Sequence, residues 1–385
     1  MKKINILLLF LLSICSFGQK KTESIESNRL GQTRQISIIT PPSYEFNKDK
    51  KYPVLYLLDG EYLMDPFNGT LQYGYYFDDL PEVIIIGIHQ NKNNEREKDS
   101  ETTEDGFPDE KSSKFYEFIS LELIPYINQN YRTVSYKIIA GHDITAGFLN
   151  FFLYKDNPVF DAYISLCPEL AHEMEHRIGD RLKMMPKPIS YFQAISSADE
   201  TSLYERAVVL DENAKTVLNN NLSYKFLSLE GYSHYSLVPI AIPQALYHVF
   251  KGYQPINKDE YAVELKGLNS GYVDYLTSKY KKINDLFGVN MKIRLIDFFA
   301  IQNAIYINGN ADELKQLEKV ASKEYPKTTL VYYIESAYYE KINDYNGAIK
   351  AIEKGYAAKE IGPLSKSVLL EKLEVLKRKR AGSNE

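Results

Sequence analysis

Asp143 stands in a run of small residues, Ala140-Gly141-His142-Asp143-Ile144-Thr145-Ala146-Gly147. An apolar stretch, Tyr136-Lys137-Ile138-Ile139-Ala140, leads into it, and the helix-compatible Phe148-Leu149-Asn150-Phe151-Phe152-Leu153 follows. Strand, tight turn and helix in that order expose one side chain at a strand's carboxyl end, which is how a nucleophile is presented. Small residues two before it and two or three after it let the backbone turn sharply. His234, in Glu230-Gly231-Tyr232-Ser233-His234-Tyr235-Ser236, lies in a loop after the last strand-like run and before a helix over 240–250. Asp199 and Glu200, in Ser196-Ser197-Ala198-Asp199-Glu200, follow the preceding strand. Nucleophilic hydrolysis needs a histidine to move the proton and an acid to orient that histidine. Asp199 and Glu200 are adjacent and both are reachable from a strand end, so the acid is one of these two.

His172-Glu173-Met174-Glu175-His176 offers a rival chemistry. On a helix, two histidines four apart share a face, and such a pair can hold Zn²⁺ with Glu173 as base. No third ligand is spaced convincingly downstream, so the stretch is read as an incidental surface helix, with a zinc site as the alternative. His89 and His248 have no evident partners and are assigned structural roles.

The elements that must position these groups alternate along the chain. Apolar strand-like runs occupy 34–39, 52–58, 82–88, 136–140, 161–166, 188–195 and 223–229. Phe115, Phe118, Ile119, Leu123 and Ile127 recur at helical spacing. Alternating strands and helices with continuous apolar strands predict an α/β fold with a mostly parallel, doubly covered sheet. Residues 91–113 are polar without periodicity and are expected to form a solvated loop bordering the site. After about residue 255 the strand runs stop and the pattern becomes helical. Tyr332, Ser336, Tyr339, Asn343-Asp344-Tyr345, Ala348, Ile352 and Gly355 approach a tetratricopeptide unit, with Glu335 as a departure. One or two such units make a helical appendage and a surface for a protein partner. Lys377-Arg378-Lys379-Arg380 is expected to complement a helix C-terminus, with a polyanion contact as the alternative.

The chain of 385 residues suffices for two domains, and its net charge of −5 gives no reason to expect nucleic-acid binding. Lys2 and Lys3 before the apolar Ile4–Leu12 read as a signal peptide over 1–18, with Gln19 as the mature start and a secreted or periplasmic destination. Cys15 raises a lipoprotein alternative, although Ile14 is bulky where a small residue is wanted. After cleavage only Cys167 remains, which leaves no intrachain disulfide. No other segment is long and apolar enough to span a membrane. The domain expectation is therefore 1–18 signal peptide, 19–255 catalytic-type domain and 256–385 helical domain.

Residues 29–252 resemble the α/β-hydrolase family that contains esterase D and the enterochelin esterases. The likeness rests on Tyr52-Pro53-Val54-Leu55-Tyr56-Leu57-Leu58-Asp59-Gly60, Ile86-Gly87-Ile88 with Arg96 and Asp99, the Gly141-His142 turn, Phe160-Asp161-Ala162-Tyr163-Ile164-Ser165 with Pro168, and Gly231–His234. Some secreted members carry a tetratricopeptide-like tail. The resemblance implies hydrolysis of small-molecule carboxylic esters or thioesters without metal or other cofactor. It assigns a triad to position 143, Glu200 or Asp199, and His234. It also implies an oxyanion hole from the backbone N–H of Ile144 and one near Gly60-Glu61. Where that family has Gly-His-Ser-x-Gly-Gly, this chain has Gly-His-Asp-Ile-Thr-Ala.

Asp143 admits three readings. In the first the esterase site is degenerate, because acyl transfer to a carboxylate gives an anhydride, and the chain is a non-catalytic binding or scaffold protein of the envelope. In the second Asp143 attacks an sp³ carbon, as in epoxide hydrolases and haloalkane dehalogenases. Those enzymes need a cap, often with tryptophan, and this chain has no tryptophan. In the third His234, oriented by Glu200, activates water directly, and Asp143 positions it.

Overall fold

The computed structural model describes residues 20–382, so the signal-peptide reading, Cys15 and Gln19 lie outside the described residues. Two compact units are present, one comprising residues up to Tyr73 with Glu82–Val249, the other Gly74–Pro81 with Phe250 onward. The sequence pattern had not separated 74–81 from its neighbours.

The first unit is built on an eight-stranded sheet of order β1-β2-β4-β3-β5-β6-β7-β8. The strands are β1 Lys20–Ser27, β2 Gln32–Ile39, β3 Tyr52–Leu57, β4 Ile84–Ile88, β5 Thr133–His142, β6 Ala162–Leu166, β7 Ile189–Ser196 and β8 Leu222–Leu229. β1 and β2 run antiparallel to their neighbours, and β3 to β8 are mutually parallel. β3, β4, β6 and β7 are buried along their whole length, as strands covered on both faces must be. β1 escapes the sequence pattern because KKTESIES is polar, and its only buried residue is Ser27.

The helix expected over 114–127 consists of two α-helical segments, Glu110–Glu117 and Ile124–Asn130, joined by a π-wound Phe118–Leu123. Its expected core residues Phe115, Phe118, Ile119, Leu123 and Ile127 are all buried. Residues 91–113 are not a plain solvated loop. They contain a helix, Glu95–Ser100, whose Asp99 is buried against Arg34 of β2. A lone buried acid facing a buried arginine leaves no periodic signal in sequence.

β5 ends at His142 and the helix Ile144–Phe148 begins at once, four residues before the expected start, continuing as a 3₁₀ turn through Tyr154. Close approach explains the small residues here. A Cβ on Gly147 would lie 1.9 Å from the Glu169 carbonyl oxygen, and one on Gly141 2.8 Å from Thr145. Backbone cannot yield as a flexible side chain does. Gly147→Ala is therefore expected to lower stability by about 1–3 kcal/mol, the usual cost of overpacking. An unchanged denaturant midpoint would contradict this packing.

The second unit is helical among the described residues: Tyr272–Phe287, Leu295–Asn308, Ala311–Glu324, Thr329–Lys341, Tyr345–Gly355 and Lys366–Gly382 follow in order. Arg294 ties it together, bonding the Asp78 carboxylate, the Asp78 carbonyl at 2.9 Å and the Tyr253 carbonyl at 2.7 Å. Buried Glu313 accepts from the N–H groups of Gly271 and Tyr272, both at 2.9 Å, satisfying donors at a helix start. Ser336, Ala348 and Gly355 are buried where helices approach. Glu340 is held by Lys372 and, at 2.6 Å, by Lys379 of the basic C-terminal stretch. No described helix is long and apolar enough to cross a membrane.

Candidate active site

The parallel strands deliver their chemistry at their carboxyl ends, where ligands bind in open α/β sheets. Asp59 follows β3, Gln90 follows β4, Asp143 follows β5, Cys167 follows β6, Asp199 follows β7 and His234 follows β8. Asp143 sits at φ 62°, ψ −125°, a conformation L residues avoid. The turn sustains it through its backbone. Asp143 N donates to the Leu166 carbonyl at 3.0 Å, and the Asp143 carbonyl accepts from Gly147 and Glu169, each at 3.1 Å.

His234 and Asp199 meet, with Nδ1 at 2.6 Å from Oδ1. A carboxylate only accepts, so Nδ1 carries the proton and Nε2 is the nitrogen left to act. Nε2 lies 3.8 Å from Asp143 Oδ1, too far for a hydrogen bond. The Asp199 side chain is buried. Glu200 is elsewhere: it precedes helix Thr201–Ala214 and accepts from Ser202 at 3.1 Å. Of the two candidate acids, Asp199 is the one in contact with His234.

The other oxygen of Asp143 meets a residue given no site role from sequence. Arg96 Nη1 lies 3.2 Å from Asp143 Oδ2, its Nε 2.7 Å from Asp59 Oδ1, and its Nη2 2.8 Å from the His142 carbonyl. Asp59 is fully buried and also accepts from the Thr145 hydroxyl at 2.6 Å. Thr145 in turn accepts from His142 N at 3.0 Å. Burial pushes the Asp59 carboxyl up, with Arg96 opposing. Burial also opposes the Arg96 charge, but its bonds to Asp59 win and raise it. Behind Asp59 the network continues through Gln90, whose Oε1 accepts from Asp59 N at 3.1 Å and whose Nε2 donates to Asp99 at 3.0 Å.

Ile144 opens helix Ile144–Phe148, and Gly60-Glu61 open helix Gly60–Tyr76. First-turn N–H groups have no acceptor within their own helix, which is what an oxyanion hole requires. Gly60 must be glycine, since a Cβ there would lie 2.5 Å from the Gly87 backbone. The Glu61 side chain accepts from the N–H groups of Gln90 and Asn91 at 2.8 and 2.9 Å. A small cavity of about 70 Å³ beside Ile144 is lined by Ser100, Phe148, Phe151 and Glu169, among others. Burial, then Asp143 and Glu200, push the Glu169 carboxyl up.

Beneath His234 lie two side chains that sequence reasoning passed over. His142 is buried, with Nδ1 3.1 Å from the Tyr62 hydroxyl and Nε2 3.4 Å from the His234 carbonyl. Burial first, then the nearby His234, push its imidazole down to about 4. Cys167 is buried with its Sγ 3.6 Å from the same carbonyl, and burial and Asp199 push its thiol up.

His172, Glu173 and His176 do not form the rival metal site. The helix begins only at Met174, Glu173 is left-handed at φ 54°, and all three residues are exposed. The left-handed turn takes His172 off the helical face that four-residue spacing would share. His89 bonds Ser37 at 2.8 Å and His248 the Ser223 carbonyl at 3.1 Å.

The sequence model of the family described as "Putative esterase" matches residues 27–158. A solved structure of an uncharacterised protein from Capnocytophaga ochracea superposes with TM-score 0.81 at 27% identity, covering 94% of this chain and 100% of that one. An IroE-like serine hydrolase from Shewanella oneidensis gives 0.58 at 21%, covering 84% and 99%. The BES protein from Bacillus cereus gives 0.53 at 21%, covering 65% and 98%. The last two likenesses speak for the fold. No curated protein matches the chain significantly. Over residues 27–158 this chain is thus similar to the putative esterase family, on a mostly parallel sheet of the α/β-hydrolase type.

Proposed function

We propose that the chain hydrolyses small carboxylic esters without a covalent intermediate, using water activated by His234 and oriented by Asp143. The observation that carries this is the His234–Asp199 contact at 2.6 Å, which leaves Nε2 directed to the Asp143 side with a 3.8 Å gap. A water in that gap donates to Nε2 and to Asp143 Oδ1, which leaves an oxygen lone pair for the ester carbonyl. The N–H groups of Ile144 and Gly60-Glu61 stabilise the oxyanion. Attack leaves the proton on Nε2, and His234 returns it to the departing alkoxide.

Asp143 does not serve as the nucleophile in this reading. A carboxylate attacking an ester forms an anhydride and must expel a more basic alkoxide. The Arg96 contact at 3.2 Å further stabilises its charge and weakens its attack. The same contact counts against an epoxide-hydrolase-like role. Secretion, the replacement of a family serine and a tetratricopeptide-like tail with a protein partner belong to this proposal as well. The second reading, a non-catalytic binder, is favoured by the Arg96–Asp143 ion pair, which ties the elbow side chain to a guanidinium.

Turnover of an ester panel separates the two. His234→Ala is expected to remove activity, Asp199→Ala to lower it by at least about 10-fold through loss of imidazole orientation, and Glu200→Ala to leave it near the starting value. Activity untouched by His234→Ala, or none from the natural chain on any ester, would refute water activation and favour the binder.

A further inference from the structure

We propose that His142, Cys167 and His234 form a binding site for a borderline transition metal, Zn²⁺ above all. One ring nitrogen from each histidine and the Cys167 sulfur lie within 4.8 Å of one another, beneath the hydrolytic centre. Two imidazoles and a thiolate are a donor set that Zn²⁺ favours over harder ions.

The surroundings are those of a prepared site. Metal-bound histidines hold their second nitrogen on a carboxylate, hydroxyl or carbonyl partner, which fixes the ring. Here Asp199 takes Nδ1 of His234 at 2.6 Å and the Tyr62 hydroxyl takes Nδ1 of His142 at 3.1 Å. Nε2 is left on both rings. Cys167 is held at φ 46°, in the left-handed region, costing roughly 1 kcal/mol for a residue with a Cβ. That strain orients a thiol for which the hydrolytic reading has no use. Asp199 and Asp143 supply a negative potential that opposes a free thiolate and attracts a cation. A bound metal replaces the thiol proton, as coordinating thiols ionise.

Binding requires modest closure. Bonds of about 2.0–2.3 Å at tetrahedral angles place donors roughly 3.3–3.8 Å apart, so the cluster contracts by about 1 Å. His142 Nε2 gives up its contact with the His234 carbonyl, and its proton moves to Nδ1, where the Tyr62 oxygen accepts it. The third position of the set is the same His234 imidazole proposed to activate water. Bound Zn²⁺ therefore switches turnover off, a consequence that rests on the hydrolytic reading, whereas metal binding does not.

Co²⁺ serves as the probe. The full chain carrying Cys15→Ser, so that Cys167 is its sole thiol, is stripped with chelator and titrated with Co²⁺. The expected result is one Co²⁺ per chain with a sulfur-to-cobalt charge-transfer band in the near ultraviolet, displaced by one equivalent of Zn²⁺. Cys167→Ser abolishes the band, His142→Ala weakens affinity by at least 100-fold, and Tyr62→Phe by about 10-fold. Circular dichroism and thermal melts establish that each variant is folded, and if one serine or alanine variant is not, the other decides. Absence of the band, or Co²⁺ binding unaltered in both folded ligand variants, overturns the site. Ester turnover, measured separately with Zn²⁺, tests only the switch. An inactive protein that still gives the band loses the hydrolytic reading and keeps the metal.

Discussion

Asp143→Ser is expected to raise ester turnover by about 10²-fold or more over the natural chain, with a burst of acyl-enzyme that the natural chain lacks. The reason lies in how little else must change. The turn at φ 62° is held by its backbone bonds and by Gly141 and Gly147, not by the Asp143 side chain. Arg96 loses one partner and keeps Asp59 and the His142 carbonyl. His234 stays anchored by Asp199. A serine hydroxyl then faces a histidine already presenting Nε2, and an alkoxide-expelling acyl-enzyme route opens. In enzymes with such a triad, loss of the serine costs up to about 10⁶ in kcat, and the oxyanion hole and binding leave about 10³–10⁴ over water. A rise of about 10² is thus a conservative expectation. Rapid-mixing kinetics with an activated ester measure both burst and steady state. A folded Asp143→Ser variant no faster than the natural chain would show that turnover is limited elsewhere, in the oxyanion donors or the substrate cavity.

Arg96→Met is expected to cost about 3–5 kcal/mol, the usual penalty for removing one partner of a buried pair. Asp59 has no exposed surface, so its charge cannot turn to water. Thr145 still donates one bond, insufficient for a buried carboxylate. The pH dependence carries a sign. Burial already holds the Asp59 carboxyl above its ordinary value, and Arg96 is the chief group opposing this. Without it the folded state binds a proton that the unfolded state releases, so stability falls as pH rises above the ordinary aspartate range. The deficit should be larger at pH 8 than at pH 4, measured by denaturant melts. An equal loss at both would mean Asp59 stays ionised, held by something other than Arg96.

Local pattern was enough for much of the frame. Runs such as Tyr52–Leu57 and Ile84–Ile88 are apolar throughout because both faces are covered, and that pattern survives in sequence whatever the partners are. Small residues around Asp143 mark a turn because backbone approach, such as Gly147 against Glu169, excludes a Cβ. His234 and the Asp199-Glu200 pair were found because each directly follows a strand. β1 was missed because an exposed edge strand of polar residues has no periodicity to read.

Which groups touch depends on strand order, and strand order is set by nonlocal packing. β5 lies between β3 and β6, so Asp59 and Asp143 come within reach of one guanidinium although 84 residues apart. Arg96 reaches both because residues 91–113 fold back instead of solvating, pinned by the buried Arg34–Asp99 pair. Asp199 rather than Glu200 meets His234 because the chain turns into a helix at Thr201, and adjacent residues leave that turn in different directions. His142, Cys167 and His234 converge from the ends of β5, β6 and β8, a proximity that no spacing along the chain encodes. Residue types set which reactions are open to this protein. Packing distant strands into one sheet sets which side chains share a proton, a charge or a metal.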